Sequence, residues 1–70
     1  MAPVVVHRPR GGPGREVSVA GTPAGRAYSL ADVVALVRRV GIDLDPGEAL
    51  ATSLIEWRGA GADSWGPGAG

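Results

Sequence analysis

The 70-residue sequence predicts a small α+β domain in which an N-terminal β-hairpin packs on an amphipathic helix. A second short helix or a third strand follows, and then an irregular Gly/Ala-rich tail. β-branched residues dominate the first segment of the chain, apolar residues recur at helical spacing in the middle, and glycines separate the two. A chain of this length supports one core at most. We therefore place a single domain at residues 1–58 and the tail at residues 59–70.

The hairpin is predicted from two short β-like segments. Residues 4–8 (Val-Val-Val-His-Arg) are bounded by prolines, which is typical of a strand that ends at both sides. In residues 16–20, Val17 and Val19 alternate with polar residues, so both valines lie on one face. Residues 11–14 are rich in glycine and form the connecting loop.

The helix is predicted for residues 30–40, after a chain break at residues 21–25 (Gly-Thr-Pro-Ala-Gly). Ser29 and Asp32 resemble a capping box, with Asp in place of the usual Glu. Gly41 is a residue that readily ends a helix. Between these signals, apolar residues fall on one face of the helix.

Residues 46–58 allow two interpretations. Asp45 as a cap and Pro46 at the first helical position favour a helix whose apolar face would end near Gly59. The alternative is a single turn followed by a strand over residues 54–58. We favour the helix, although short apolar runs are not decided by periodicity alone. The predicted core comprises Val17, Val19, Leu30, Val33, Val34, Val37, Val40, Ile42, Leu50, Leu54 and Trp57.

The composition excludes several kinds of chemical site. The chain has no cysteine and one histidine, which excludes disulfides, thiolate metal sites and His-rich zinc sites. His7 lies in a predicted strand beside a proline, so a Ser/His nucleophile is not expected, and capping explains Asp45 and Glu48 without a metal. The glycine-rich loop at residues 11–14 lacks the Gly-Lys-Ser/Thr ending of a phosphate loop. We expect no catalytic, cofactor-binding or metal-binding residues, and no enzyme.

Localisation and origin are inferred from composition. No apolar run approaches the ~20 residues that span a bilayer. The N-terminus has no long apolar segment typical of a secretion signal. We therefore expect a cytoplasmic protein without membrane contact, and the use of arginine as the sole basic residue type is typical of a bacterial genome of high GC content.

Charge and aromatic residues indicate a binding function. Formal net charge is zero, yet residues 1–26 carry an excess of arginine and residues 27–70 an excess of acid. The expected function is a protein-interaction module that docks a partner protein or a second copy of itself. Its candidate partner-binding residues are Trp65 in the tail, an aromatic anchor unless it folds back on the core, and Arg8, Arg10 and Arg15 of the hairpin. The same arginines suit weak binding of nucleic acid as an alternative.

A hairpin followed by Ser29-Leu30-Ala31-Asp32 at the start of a helix resembles the first half of a β-grasp sulfur-carrier protein, over residues 4–41. Such carriers end in Gly-Gly, whose terminal carboxylate is activated and thiolated. The present chain ends Gly68-Ala69-Gly70. The resemblance implies a carrier function in which the Gly70 carboxylate accepts an adenylate.

Overall fold

The computed structural model describes residues 2–65, which form one four-stranded sheet and one α-helix, and so confirms the α+β class. The strands lie in the order β3-β2-β1-β4. β2 runs antiparallel to both β1 and β3, whereas β4 runs parallel to β1. In chain order the elements are β1 (Val4–Val6), β2 (Arg15–Val19), β3 (Thr22–Ala27), α1 (Leu30–Arg39), a single 3₁₀ turn (Pro46–Glu48) and β4 (Ile55–Trp57).

Helix α1 is confirmed with both of its predicted ends. The Ser29 hydroxyl accepts a hydrogen bond from the Asp32 N–H at 3.3 Å. At the other end Gly41 has a φ of +96° and, with Ile42, donates its N–H to carbonyls of the last turn. The Ile42 N–H reaches the Val37 carbonyl at 3.2 Å, which is the pairing of a Schellman motif. No helix among residues 2–65 is long and apolar enough to cross a bilayer.

The predicted chain break at residues 21–25 is wrong, because residues 22–25 belong to β3 and Gly21 belongs to the turn before it. Ala20 (φ +52°) and Gly21 (φ +81°) form a two-residue turn between β2 and β3. Positive φ at both positions is the type I′ geometry that matches the twist of a hairpin. Pro23 is tolerated because β3 is an edge strand, where no neighbour needs its missing N–H. The N-terminal hairpin is therefore a three-stranded meander.

The favoured helix over residues 46–58 is also wrong, and the strand alternative is confirmed. The Asp45 carboxylate does cap a turn, accepting from the Gly47 N–H at 3.3 Å, but only the single 3₁₀ turn follows. The chain then extends and β4 pairs with β1, with Ile55 opposite Val4. Pairing with the central strand β1 buries Ile55. A helix on the surface would bury less of this side chain.

The core lies between the sheet and α1. Val17, Val33, Val34 and Val37 are buried as predicted, whereas Val40, Leu50 and Leu54 are exposed and were wrongly assigned to the core. Leu50 and Leu54 would face inward only in the helix that does not form. Four predicted members pack against the core while partly exposed: Val19, Leu30, Ile42 and Trp57. The buried residues not predicted are Val4, Val6, Ala27, Leu44, Ala49, Ile55 and Trp65.

Candidate functional site

Arg15 is a charged residue whose side chain is buried in the fold. It begins β2 and lies on the same face of the sheet as Val17, because residues two apart in a strand point the same way. Its side chain is 1% exposed, comparable to the core valines. Burial of an arginine is rare unless every polar atom finds a partner.

All five N–H groups of the Arg15 guanidinium donate to backbone carbonyls. Four of the five acceptors belong to residues 58–65, an irregular segment that we call the strap. Nε donates to the carbonyl of His7 (2.8 Å), Nη1 to those of Gly61 (2.7 Å) and Ser64 (3.1 Å), and Nη2 to those of Arg58 (2.8 Å) and Ala60 (3.0 Å). Arg15 therefore fixes the strap against the end of the sheet.

Two tryptophans complete the surroundings of Arg15. Its guanidinium carbon lies 5.6 Å from the ring centroid of Trp57 and 5.7 Å from that of Trp65. The two rings meet edge to face, with centroids 6.0 Å apart. Burial lowers the pKa of Arg15, yet an arginine starts so high that it stays charged at neutral pH. Among residues 2–65 no carboxylate lies within ion-pair distance of it, so carbonyl dipoles and aromatic faces hold this cation.

The four predicted partner-binding residues fall into two groups. Arg8 and Arg10 are exposed. Arg15 has no N–H group left for a partner, and Trp65 is 9% exposed, with its carbonyl accepting from the Gly14 N–H at 2.7 Å. Partner binding by these four residues stays a prediction, but the geometry does not bring them to one surface. Trp65 folds back on the core, the other reading that the sequence allowed.

The tail predicted for residues 59–70 is irregular over 59–65, the part that the structure describes, and it packs on the domain as the strap. Gly68, Ala69 and Gly70 of the carrier resemblance lie outside the described residues. One strand, β4, follows the helix and runs parallel to β1.

The opposite face of the sheet, which we call the open face, carries a different set of side chains. The register aligns Ser18, Val5 and Glu56 side by side across β2, β1 and β4. These residues alternate with the buried ones, so they point away from α1. Val5, at the centre, is the apolar residue of this row.

A cavity of about 390 Å³ lies on the open face. Pro3 and Ala20, joined by a backbone hydrogen bond of 2.7 Å, form one end, and His7 and Arg58 form the other. Residues two apart in a strand are separated by about 6.8 Å, so the two ends lie roughly 13 Å apart. The cavity is lined by Ala2, Pro3, Val5, His7, Ser18, Ala20, Gly21, Glu56 and Arg58. It is therefore apolar at the turn end and polar at the other.

The polar end combines the hydrogen-bonded pair His7–Ser18 with an ion pair. His7 Nε2 and Ser18 Oγ are 2.8 Å apart, and Arg58 Nε donates to the Glu56 carboxylate. Within residues 2–65 the second ring nitrogen of His7 has no hydrogen-bond partner. A serine nucleophile needs its histidine oriented by a third group. The His7–Ser18 pair can donate to and accept from a polar group of a ligand.

The open face could not be predicted from the sequence because its residues are distant from one another along the chain. Val5 comes from β1 and His7 from the residue that follows it, Ser18 from β2, and Glu56 from a strand that was not favoured. The alternation of residues 4–7 was masked by three consecutive valines, one of which points outward.

Residues 2–65 hold no group of three or more His, Cys, Asp or Glu residues placed to bind a metal. Comparison with protein-family models, with curated proteins and with solved structures finds no match. The geometry of the open face is therefore the basis for a proposed function.

Proposed function

We propose that this chain is a small, non-enzymatic protein-binding module that holds a segment of a partner protein on the open face of its sheet. The cavity between the turn end and the His7–Ser18 pair is the observation that supports this proposal. Its volume of about 390 Å³ falls within the range of about 300–1,000 Å³ that is typical of binding sites.

The two sides of the sheet differ in that one is covered by other elements and the other, the open face, is not. One side is covered by buried residues of α1, by Leu44 and Ala49 on either side of the 3₁₀ turn, and by Trp65 of the strap. The other side keeps Val5 at the floor of a concave surface. Binding energy in protein interfaces concentrates in such pockets, where an inserted side chain is surrounded by polar groups that exclude water.

Charge favours a protein over a nucleic acid as the partner. Glu56 and Arg58 neutralise each other on the open face, so the cavity offers no net attraction to phosphates. The hairpin alternative relied on three arginines, and Arg15 has all of its donors bound within the fold. Arg8 and Arg10 alone would form a small phosphate-binding patch. We therefore place the proposed function on the open face.

Selection of random peptides displayed on phage tests the proposal. The purified protein is the bait, and enriched peptides are synthesised and measured for binding to three variants. Ala20→Asp places a charge at the apolar end of the cavity, at a position whose positive φ aspartate tolerates. Ala20→Asn has nearly the same shape without the charge. Ala31→Asp adds the same charge to the exposed first turn of α1, away from the cavity.

The proposal expects enriched peptides that lose at least tenfold in affinity with Ala20→Asp. Ala31→Asp should leave their affinity unchanged, and Ala20→Asn should have an intermediate effect. Failure to enrich any peptide would contradict the proposal, as would peptides that bind Ala20→Asp as tightly as the unmodified protein.

A further inference from the structure

We infer that the open-face cavity receives a tyrosine side chain of the partner segment. This inference rests on the proposed function, and it adds the chemistry of the residue that anchors the partner. Three properties of the cavity carry it: an apolar floor at Val5, the hydrogen-bonded pair His7–Ser18 beside that floor, and an Arg58–Glu56 ion pair that leaves no net charge from these two residues.

The apolar end of the cavity suits an aromatic ring. Pro3, Val5 and Ala20 present carbon atoms to it, and none of the three carries a polar side chain that needs a partner. A flat ring can lie against this surface of the sheet and cover Val5. Aromatic residues bring large contact areas to interfaces and lose few rotatable bonds on binding, which makes them frequent anchors.

His7 lies two residues beyond Val5 in the chain, about 6.8 Å along the strand direction, and Ser18 lies directly opposite Val5 on β2, so the pair adjoins the apolar floor. A serine hydroxyl donates one hydrogen bond and accepts two, and a neutral imidazole does one of each. Their mutual bond at 2.8 Å leaves donor and acceptor capacity in the pair. A phenol hydroxyl, which also donates and accepts, matches that capacity.

Charge selects against ionised side chains as the anchor. Arg58 is already bound to Glu56, so an incoming carboxylate or ammonium would compete with the existing pair. A neutral group avoids that competition. Phenylalanine is neutral and shares the ring, but it would cover the His7–Ser18 pair without replacing the hydrogen bonds that the pair makes to water.

Titration with N-acetyl-tyrosinamide tests the inference, with N-acetyl-phenylalaninamide as the matched probe. The backbone amide resonances of Val5, His7 and Ser18 report on the cavity, and those of α1 serve as an internal reference. A neutral hydrogen bond is worth about a 2- to 10-fold difference in affinity. We expect tyrosinamide to bind tighter by that factor, and the difference to disappear in Ser18→Ala.

Equal affinities for the two probes, shifts outside the cavity, or no saturable shift with tyrosinamide would each overturn the inference. The phage selection separates this failure from failure of the proposed function. Enriched peptides that bind the open face without tyrosine would support the proposed function and overturn the inference. An empty selection would overturn both.

Discussion

Replacing Arg15 by alanine removes the five hydrogen bonds that fix the strap and leaves five carbonyl groups without their donor. A hydrogen bond to a charged group contributes about 1.5–3 kcal/mol, but the five are not additive. Water reaches part of the strap once the side chain is gone, which lowers the cost. Leaving a buried acceptor unsatisfied costs about 1–3 kcal/mol, so we expect the loss of several donors at once in Arg15→Ala to cost about 3–5 kcal/mol.

That loss is comparable to the whole stability of the molecule, because one core in a chain of this size supplies about 3–5 kcal/mol. Arg15→Ala is therefore expected to be largely unfolded at 25 °C. Arg15→Lys keeps the charge but has three donors on a single atom, which cannot reach carbonyls on two sides. It should lose about 2 kcal/mol and remain measurable.

Urea unfolding followed by tryptophan fluorescence measures these free energies, because Trp57 and Trp65 both contact the Arg15 side chain. Arg10→Ala is the control, since Arg10 is exposed and its loss should change stability by less than about 0.5 kcal/mol. The reasoning would be refuted if the free energy of unfolding of Arg15→Ala lay within about 1 kcal/mol of that of the unmodified protein. It would equally be refuted if Arg10→Ala were as destabilising as Arg15→Lys.

Three further substitutions test the β2–β3 turn, the burial of Trp65 and the exposure of Leu50 in the same urea assay. Ala20→Asn should stabilise the protein by about 0.5–1 kcal/mol, because asparagine adopts the positive φ of this turn more readily than alanine; a destabilisation would contradict the turn assignment. Trp65→Ala should cost about 3–5 kcal/mol, since the ring is buried against Arg15 and Trp57, and a neutral result would mean that it does not belong to the core. Leu50→Ala should change stability by less than about 0.5 kcal/mol, because Leu50 is 65% exposed, whereas a loss above 2 kcal/mol would restore it to the core.

The helix could be predicted from the sequence because its signals are local. Ser29, Asp32 and Gly41 lie at its two ends and act through the backbone of neighbouring residues. β3 could not be predicted in the same way. Ala20 adopts a positive φ that glycine or asparagine usually fills, and Pro23 is acceptable only because tertiary structure places β3 at an edge.

Strand β4 depends on contacts that are distant in sequence. Residues 54–58 become a strand because β1 offers them an unpaired edge, with Val4 opposite Ile55. Nothing within the segment itself excludes a helix. The open face follows from the same pairing, since Glu56 reaches Val5 and Ser18 only through β1. Tertiary structure therefore brings the residues of the open face next to each other.

The burial of Arg15 did leave a signal in the sequence. Arg15, Val17 and Val19 alternate at the period of a strand, which places the arginine on the apolar face. The carbonyls that bind it could not be predicted, because the strap has no regular structure of its own. A glycine-rich segment supplies many closely approaching carbonyl groups, which explains how this cation is buried although residues 2–65 bury no carboxylate.

The open face is our proposed binding surface because Trp65 packs against Arg15 within the fold. This packing can be measured in solution. Nuclear Overhauser effects between the Arg15 Nε–H and the ring protons of Trp57 and Trp65 test it most directly in the isolated protein. The account predicts cross-peaks to both rings and an Arg15 Nε–H protected from exchange with water. A Trp65 indole at its random-coil position, without cross-peaks to Arg15, would contradict the account and return Trp65 to the role of a partner anchor.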